Sequence, residues 1–185
     1  MRRTHDLGGH PTLSQLGARI CILGPSNSGK STLAVAISAV TGLPVVHLDV
    51  LRHVPGSPWI EREPDDFGRL HDAAIAEQSW VMEGNYSHWL PQRLSRATGL
   101  IVLDASTATS LARYVRRTLF QGNRHGGLEG VSDRLNPRMV RWIVTRTPAN
   151  RARYRAMAES VDIPAILLPN SRALRRFYRE EGLRR

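Results

Sequence analysis

Lysine is almost missing from this chain: of 26 basic residues, Lys30 alone is lysine and the rest are arginine. Cysteine is nearly as scarce, with Cys21 alone, so a disulfide framework and a Cys-x-x-Cys metal pair are both excluded. Cys21 lies within an apolar run and reads as core. The seven histidines show no H-x-x-x-H or Cys/His ligand spacing, which removes a structural zinc site. No apolar run approaches the length that crosses a bilayer. Residues 1–18 are basic and polar, with Gly8, Gly9 and Pro11 and no apolar stretch of the kind that opens a signal peptide. They are expected to form a loose extension, followed by one domain over 19–185, and a cytoplasmic location without membrane contact is expected. Internal repeats and low-complexity tracts are absent too, and 41% apolar content in 185 residues suits a single core.

Against that background the setting of Lys30 stands out. It belongs to Gly24-Pro25-Ser26-Asn27-Ser28-Gly29-Lys30-Ser31, a complete G-x-x-x-x-G-K-[ST] pattern. A compact ammonium on a flexible stem binds phosphate as a point charge, which the rigid fork of arginine does not reproduce. The flanks are those the pattern requires: an apolar strand, Arg19 to Leu23, before it, and a helical run from Ser31 and Thr32 to Gly42 after it. Backbone N–H groups of residues 26–31 at a helix N-terminus would wrap a β-phosphate. Lys30 would reach the β- and γ-phosphates, and the Ser31 hydroxyl would take a magnesium position.

Four more short apolar runs follow, at 44–48, 80–82, 100–103 and 164–168, alternating with helical patterns. Helices are expected from Glu63-Pro64, from about Ala108 to Phe120, from Pro137 to about Ser160, and from a Ser171 cap, with Pro148 kinking or dividing the long one. Such alternation predicts an α/β fold, a three-layer sandwich around a five-stranded parallel sheet. Ligands of such sheets lie beyond the carboxyl ends of the strands, where Gly24, Asp49, Glu83 and Asp104 fall. A magnesium nucleotide site needs a second acid to hold the metal's water shell, and Glu83 and Asp104 compete for it. Glu83 is preferred on topology alone, because in a sheet like that of nucleotide kinases its strand would neighbour the strand that precedes the glycine loop. Asp49 is expected to orient an acceptor hydroxyl or accept its proton, with Arg52 and His53 in reach.

Net charge is +10, and it is uneven: residues 1–92 carry −2 and residues 93–185 carry +12. A basic half suits nucleic acid, and equally a site that closes over polyphosphate. Arg113, Arg116 and Arg117 share one helix face, and the glycine-rich stretch after them, about 121–136 with Arg124 inside it, is expected to form a short lid. Arg134, Arg138 and Arg141 stand on its far side. Arg113 and Arg124 are the first candidates for nucleotide contact. Trp80 reads as core, Trp142 as packing the long helix, and Trp59 as a residue that would stack on an acceptor.

From about Arg19 to Phe177 the chain resembles the topology modulation proteins, or FlaR-like proteins, of the adenylate-kinase-like group. The resemblance rests on GPSNSGKSTLA, on LPVVHLDVL at 43–51, on Pro58-Trp59 and on WVMEGNYSHWLPQRL at 80–94. It extends through LIVLDAS at 100–106, LARYVRRTL at 111–119 and RWIV at 141–144. LIVLDAS with LARYVRR also looks like the corresponding step of shikimate-kinase-like enzymes, where an arginine matching Arg113 lies against the adenine. The chain departs from the family in carrying Glu83 where Asp is usual, and in having fewer basic residues in the lid. The resemblance implies an ATP- and magnesium-dependent kinase whose acceptor side would include Asp49, Asn85, Tyr86 and Arg93. A monomer or homodimer acting on a nucleotide or other hydroxylated metabolite is expected. Two other readings are a nucleotide-binding regulator that contacts nucleic acid through the basic half, and a kinase toxin of the zeta type. No helix-turn-helix or RNA-recognition signature supports the regulator.

Overall fold

The structure, a computed structural model, describes residues 10–57, 60–120 and 136–184. Its centre is a five-stranded sheet built from β1 (Arg19–Leu23), β2 (Val45–His47), β3 (Trp80–Glu83), β4 (Gly99–Leu103) and β5 (Ala165–Leu168). The spatial order is β2-β3-β1-β4-β5, and every pair is parallel. These strands are continuous apolar runs because both faces are covered. Alternate residues enter opposite cores. Ile20, Ile22, Val81, Ile101, Leu103, Ile166 and Leu168 point to one face, with Leu33 and Ile37 of α1 (Lys30–Thr41) and Leu174 and Phe177 of α7 (Ser171–Glu180). Cys21, Leu23, Trp80, Met82, Leu100 and Val102 point to the other. That face receives Phe67 and Ile75 of α3 (Pro64–Ala76), Leu90 of α4 (Leu90–Arg96) and Tyr154 of α6 (Pro137–Ser160). The result is three layers, as the strand–helix alternation predicts.

β1 lies between β3 and β4, so the chain leaves it toward one side of the sheet and, after β3, crosses to the other. The crevice at such a reversal lies beyond the carboxyl ends of β1 and β3. Two further α-helices are α2 (Leu48–Arg52) and α5 (Thr107–Phe120).

The structure corrects several expectations. β2 stops at His47, and Asp49 sits in the first turn of α2 rather than at a strand end. Leu48, fully buried, turns the chain inward there and fills the space above Gly84, where a Cβ would approach Leu48 Cβ to 2.8 Å. Part of the expected loose extension is packed: Leu13–Leu16 forms a 3-10 turn, with Leu13 and Leu16 buried in the core beside α7. Pro148 does not divide α6, which runs from Pro137 to Ser160 in one piece. The proline lies on the exposed face while Ile143, Thr147 and Tyr154 face inward, so the missing N–H falls on the solvent side, where carbonyls are hydrated. The cap of α7 is Asn170, whose side chain accepts from the N–H groups of Arg172 and Ala173, and Ser171 is the first helical residue. The expected lid over 121–135, with Arg124 and Arg134, lies outside the described residues, as does Trp59. Among the described residues no helix is long and apolar enough to cross a membrane.

Candidate active site

The segment from Gly24 to Gly29 joins β1 to α1 as a close-fitting loop. Gly24 has φ 152°, and a Cβ there would lie 2.5 Å from the Leu103 carbonyl of β4, so only glycine lets the loop start this near the sheet. Asn27 (φ 60°) and Gly29 (φ 101°) both take left-handed conformations, and Gly29 is the N-cap of α1. Turns of this kind turn successive amides inward to form an anion-binding concavity, here at the positive end of the α1 dipole. Pro25 and Ser28 are buried, while Ser26, Asn27, Lys30, Ser31 and Thr32 are half-exposed along the mouth. The Ser28 hydroxyl is buried and has no hydrogen-bond partner among the described residues, which suits a loop that closes on a ligand.

Lys30 and Ser31 open α1 with their side chains already engaged. The Lys30 ammonium donates to the carbonyls of Gly24 (3.1 Å) and Pro25 (3.0 Å), bending back over the loop. The Ser31 hydroxyl donates to Glu83 Oε1 at 3.0 Å. Glu83 ends β3, directly beside β1, in the register Ile22↔Glu83. Its Oε1 also faces His47 Nδ1 at 2.9 Å, from the end of β2. Burial by itself would raise the Glu83 carboxyl. The His47 hydrogen bond, the Lys30 charge and the Ser31 hydrogen bond outweigh it and hold the group below the ordinary carboxylate range. An ionised carboxylate and a hydroxyl thus meet beside the loop lysine, a hard-oxygen donor set of the kind that suits magnesium through its water shell.

Asp104, the competing acid, does different work. It is buried, its amide donates to Leu168 of β5, and its carboxylate takes Arg151 Nε at 2.5 Å and Nη2 at 3.2 Å together with Arg155. Both arginines come from α6, so Asp104 ties that helix to the sheet edge rather than facing Ser31.

In the first turn of α2, Asp49 Oδ1 accepts a 2.6 Å hydrogen bond from the Tyr86 hydroxyl. Burial, then the Asp49 charge, pushes the Tyr86 phenol well above its ordinary range, so it stays a donor. Asn85 joins this pair to the loop: its amide donates to the Gly24 carbonyl (2.9 Å) and its carbonyl accepts from the Gly24 N–H (3.3 Å). Arg52 is committed elsewhere, to the Arg62 carbonyl and the Glu61 carboxylate, each at 2.5 Å, with its guanidinium 5.6 Å from the Phe67 ring centroid. His53 bonds the Asp49 carbonyl. Arg93, expected to face an acceptor, is fully buried on α4 and donates to the Asn85 main-chain carbonyl at 2.8 Å. An arginine with no exposed surface does not line a cleft, so that expectation is corrected.

Arg113 reaches the loop from α5, donating to the Ser28 carbonyl and, at 3.2 Å, to the Ser171 hydroxyl. Arg116 is exposed on the same helix. Sequence reasoning missed His47, Arg151 and Arg155, and it gave Arg93 a different role. His47 could have been noticed from its place at the end of a predicted strand, one residue from Leu48-Asp49. The strut role of Arg93 and the pairing of Arg151 and Arg155 with Asp104 depend on contacts far apart in sequence and left no local signal.

No protein-family model matches the chain, and no curated protein matches it. Solved structures do. A gluconokinase from Sinorhizobium meliloti 1021 matches 91% of this chain and 95% of its own, with TM-score 0.54 and 15% identity. A provisional kinase from Chloroflexus aurantiacus j-10-fl matches over 90% and 99%, with TM-score 0.53 and 19% identity. TT1252 from Thermus thermophilus matches over 94% and 96%, with TM-score 0.50 and 16% identity. The α/β architecture with its parallel five-stranded sheet is therefore shared with these solved structures.

Proposed function

We propose that this protein is an ATP- and magnesium-dependent phosphotransferase acting on a small hydroxylated acceptor. One set of contacts carries the reading: Ser31 and the Lys30 charge converge on an ionised Glu83, and Asn85 ties the same loop to the turn whose Tyr86 bonds Asp49. In this reading Gly24 to Thr32 hold the triphosphate, and Lys30 leaves its two carbonyls for the β- and γ-phosphates. Ser31 and Glu83 would hold magnesium, which when bound would supply charge neutralisation at those phosphates. Asp49, with one oxygen steadied by Tyr86, accepts the acceptor's hydroxyl proton through the other as the acceptor oxygen attacks the γ-phosphorus. The bond to the bridging oxygen of ADP breaks in the same step. Arg113 steadies the loop and the charge that develops on it, and Arg124 is proposed as a second such arginine.

The gluconokinase likeness supports a polyhydroxylated metabolite as acceptor. The finer resemblance, to the topology modulation proteins, is part of the same proposal and rests on the sequence segments named above. The test is a screen of sugars, sugar acids, nucleosides and nucleotides with labelled ATP. Transfer to one class, abolished by Lys30→Ala, is expected. Slow ADP release with every acceptor would overturn the reading.

A further inference from the structure

We infer that Arg93 is a positioning residue that couples the donor loop to the acceptor carboxylate through the turn at 84–86. The inference rests on the functional reading above. Gly84 (φ 131°) and Tyr86 (φ 31°) are both in the left-handed region, and a non-glycine residue there is strained unless its surroundings hold it. Between them stands Asn85, and three contacts radiate from this turn. The Asn85 side chain makes two hydrogen bonds to the main chain of Gly24, the first residue of the loop. The Tyr86 hydroxyl bonds Asp49. The Asn85 carbonyl receives the guanidinium of Arg93.

Arg93 is a costly way to fill that space. An arginine is not deprotonated in proteins, so a full positive charge lies in the core. No salt bridge accompanies it among the described residues, and only Nη2 makes a close hydrogen bond there, with the buried Cys21 thiol a weaker second acceptor. Its neighbours are the thiol of Cys21, the imidazole of His71 and the phenol of Tyr154, whose titration its charge biases. None of these is a carboxylate. An apolar side chain of similar volume would pack there without the desolvation penalty. A buried cation that gains so little from its surroundings is explained by the one strong bond it makes, to the carbonyl of a strained turn. Fixing that carbonyl fixes the Asn85 side chain against Gly24 and the Tyr86 hydroxyl against Asp49, so both substrates' sites share a single support.

The test is a double-mutant cycle on the full chain. Arg93→Met, Asn85→Ala and the pair are titrated calorimetrically with MgATP, and their thermal melting is followed by circular dichroism. The expected result is about a tenfold weaker affinity for each single variant, with the pair no weaker than either alone, since both act through one support. Arg93→Met is expected to melt no lower than Asn85→Ala. Undiminished affinity in Arg93→Met, or losses that add in the pair, would overturn the inference. If Arg93→Met does not fold, Arg93→Lys keeps the test alive. It retains a donor for the carbonyl and is expected to bind MgATP within about threefold of wild type. A folded Arg93→Lys that binds as poorly as Asn85→Ala would overturn the inference as well. A wild-type chain that binds no MgATP would instead overturn the functional reading itself.

Discussion

Replacing Glu83 by glutamine removes one charge from the crevice while keeping its volume. The carboxylate accepts from Ser31 at 3.0 Å and faces His47 at 2.9 Å, both on Oε1, and its side chain is 3% exposed. A hydrogen bond to a charged acceptor contributes about 1.5–3 kcal/mol and one to a neutral acceptor about 0.5–1.5 kcal/mol, so the two bonds together lose about 2 kcal/mol. A neutral amide is cheaper to bury, which offsets most of that, and the net change in folding stability is expected within about 1 kcal/mol. Metal binding has no such offset. A carboxylate that holds an ion through its bound water acts from outside the inner ligands, and loss of such a partner lowers affinity about 10- to 100-fold. Calorimetric titration with ATP should therefore show a rise in Kd of about 10- to 100-fold with magnesium present, and no change in EDTA. Equal losses with and without magnesium, or none, would refute the assignment of Glu83 to the metal side. Acid melting gives a second check. The folded-state pKa of Glu83 is depressed, so its stabilising contribution is present above the unfolded value of about 4.3 and is lost as pH falls toward the lower folded value. Wild type should lose stability through that window more steeply than Glu83→Gln.

Three further outcomes are expected. Asp49→Asn should slow phosphoryl transfer about 10²- to 10⁴-fold while leaving calorimetric ATP affinity unchanged, since the carboxylate serves the acceptor alone; weakened ATP binding would contradict that division. Asp104→Asn should destabilise the fold by about 2–4 kcal/mol in urea, because Arg151 and Arg155 lose a buried partner but can partly hydrate. A shift of MgATP affinity without loss of stability would instead return Asp104 to the metal side. Leu16→Ala should lower stability by about 2–5 kcal/mol, the penalty for a fully buried leucine, and unchanged urea midpoints would mean that residues 10–18 are not packed.

The strands were legible because each is a brief branched run with polar residues at its ends, and burial on both faces demands that composition. The loop was legible because its chemistry is local: glycine, lysine and serine act within a few residues of one another. α2 and α4 escaped notice because they are short. Leu48–Arg52 is five residues long and Leu90–Arg96 seven, and Pro91 in the second reads as a break although proline suits the first helical turn. Leu13 and Leu16 were hidden in a polar segment, where two leucines three residues apart show no period. The acid beside Ser31 could be ranked from strand order alone, since β3 adjoins β1, but what Asp104 does instead required knowing that α6 passes over it. Arg93 is the clearest case. In sequence an arginine on a short helix looks exposed, and only the packed structure shows it sealed beneath the turn it holds.

The brevity of β2 has a consequence for how copies of this molecule meet. It lies at the margin of the sheet, with an unused row of main-chain groups that another chain's strand could copy onto. That row is three residues long, preceded by Pro44, which has no amide hydrogen to offer, and followed at once by the coil of Leu48–Arg52. So short a margin gives another strand little template on which to add.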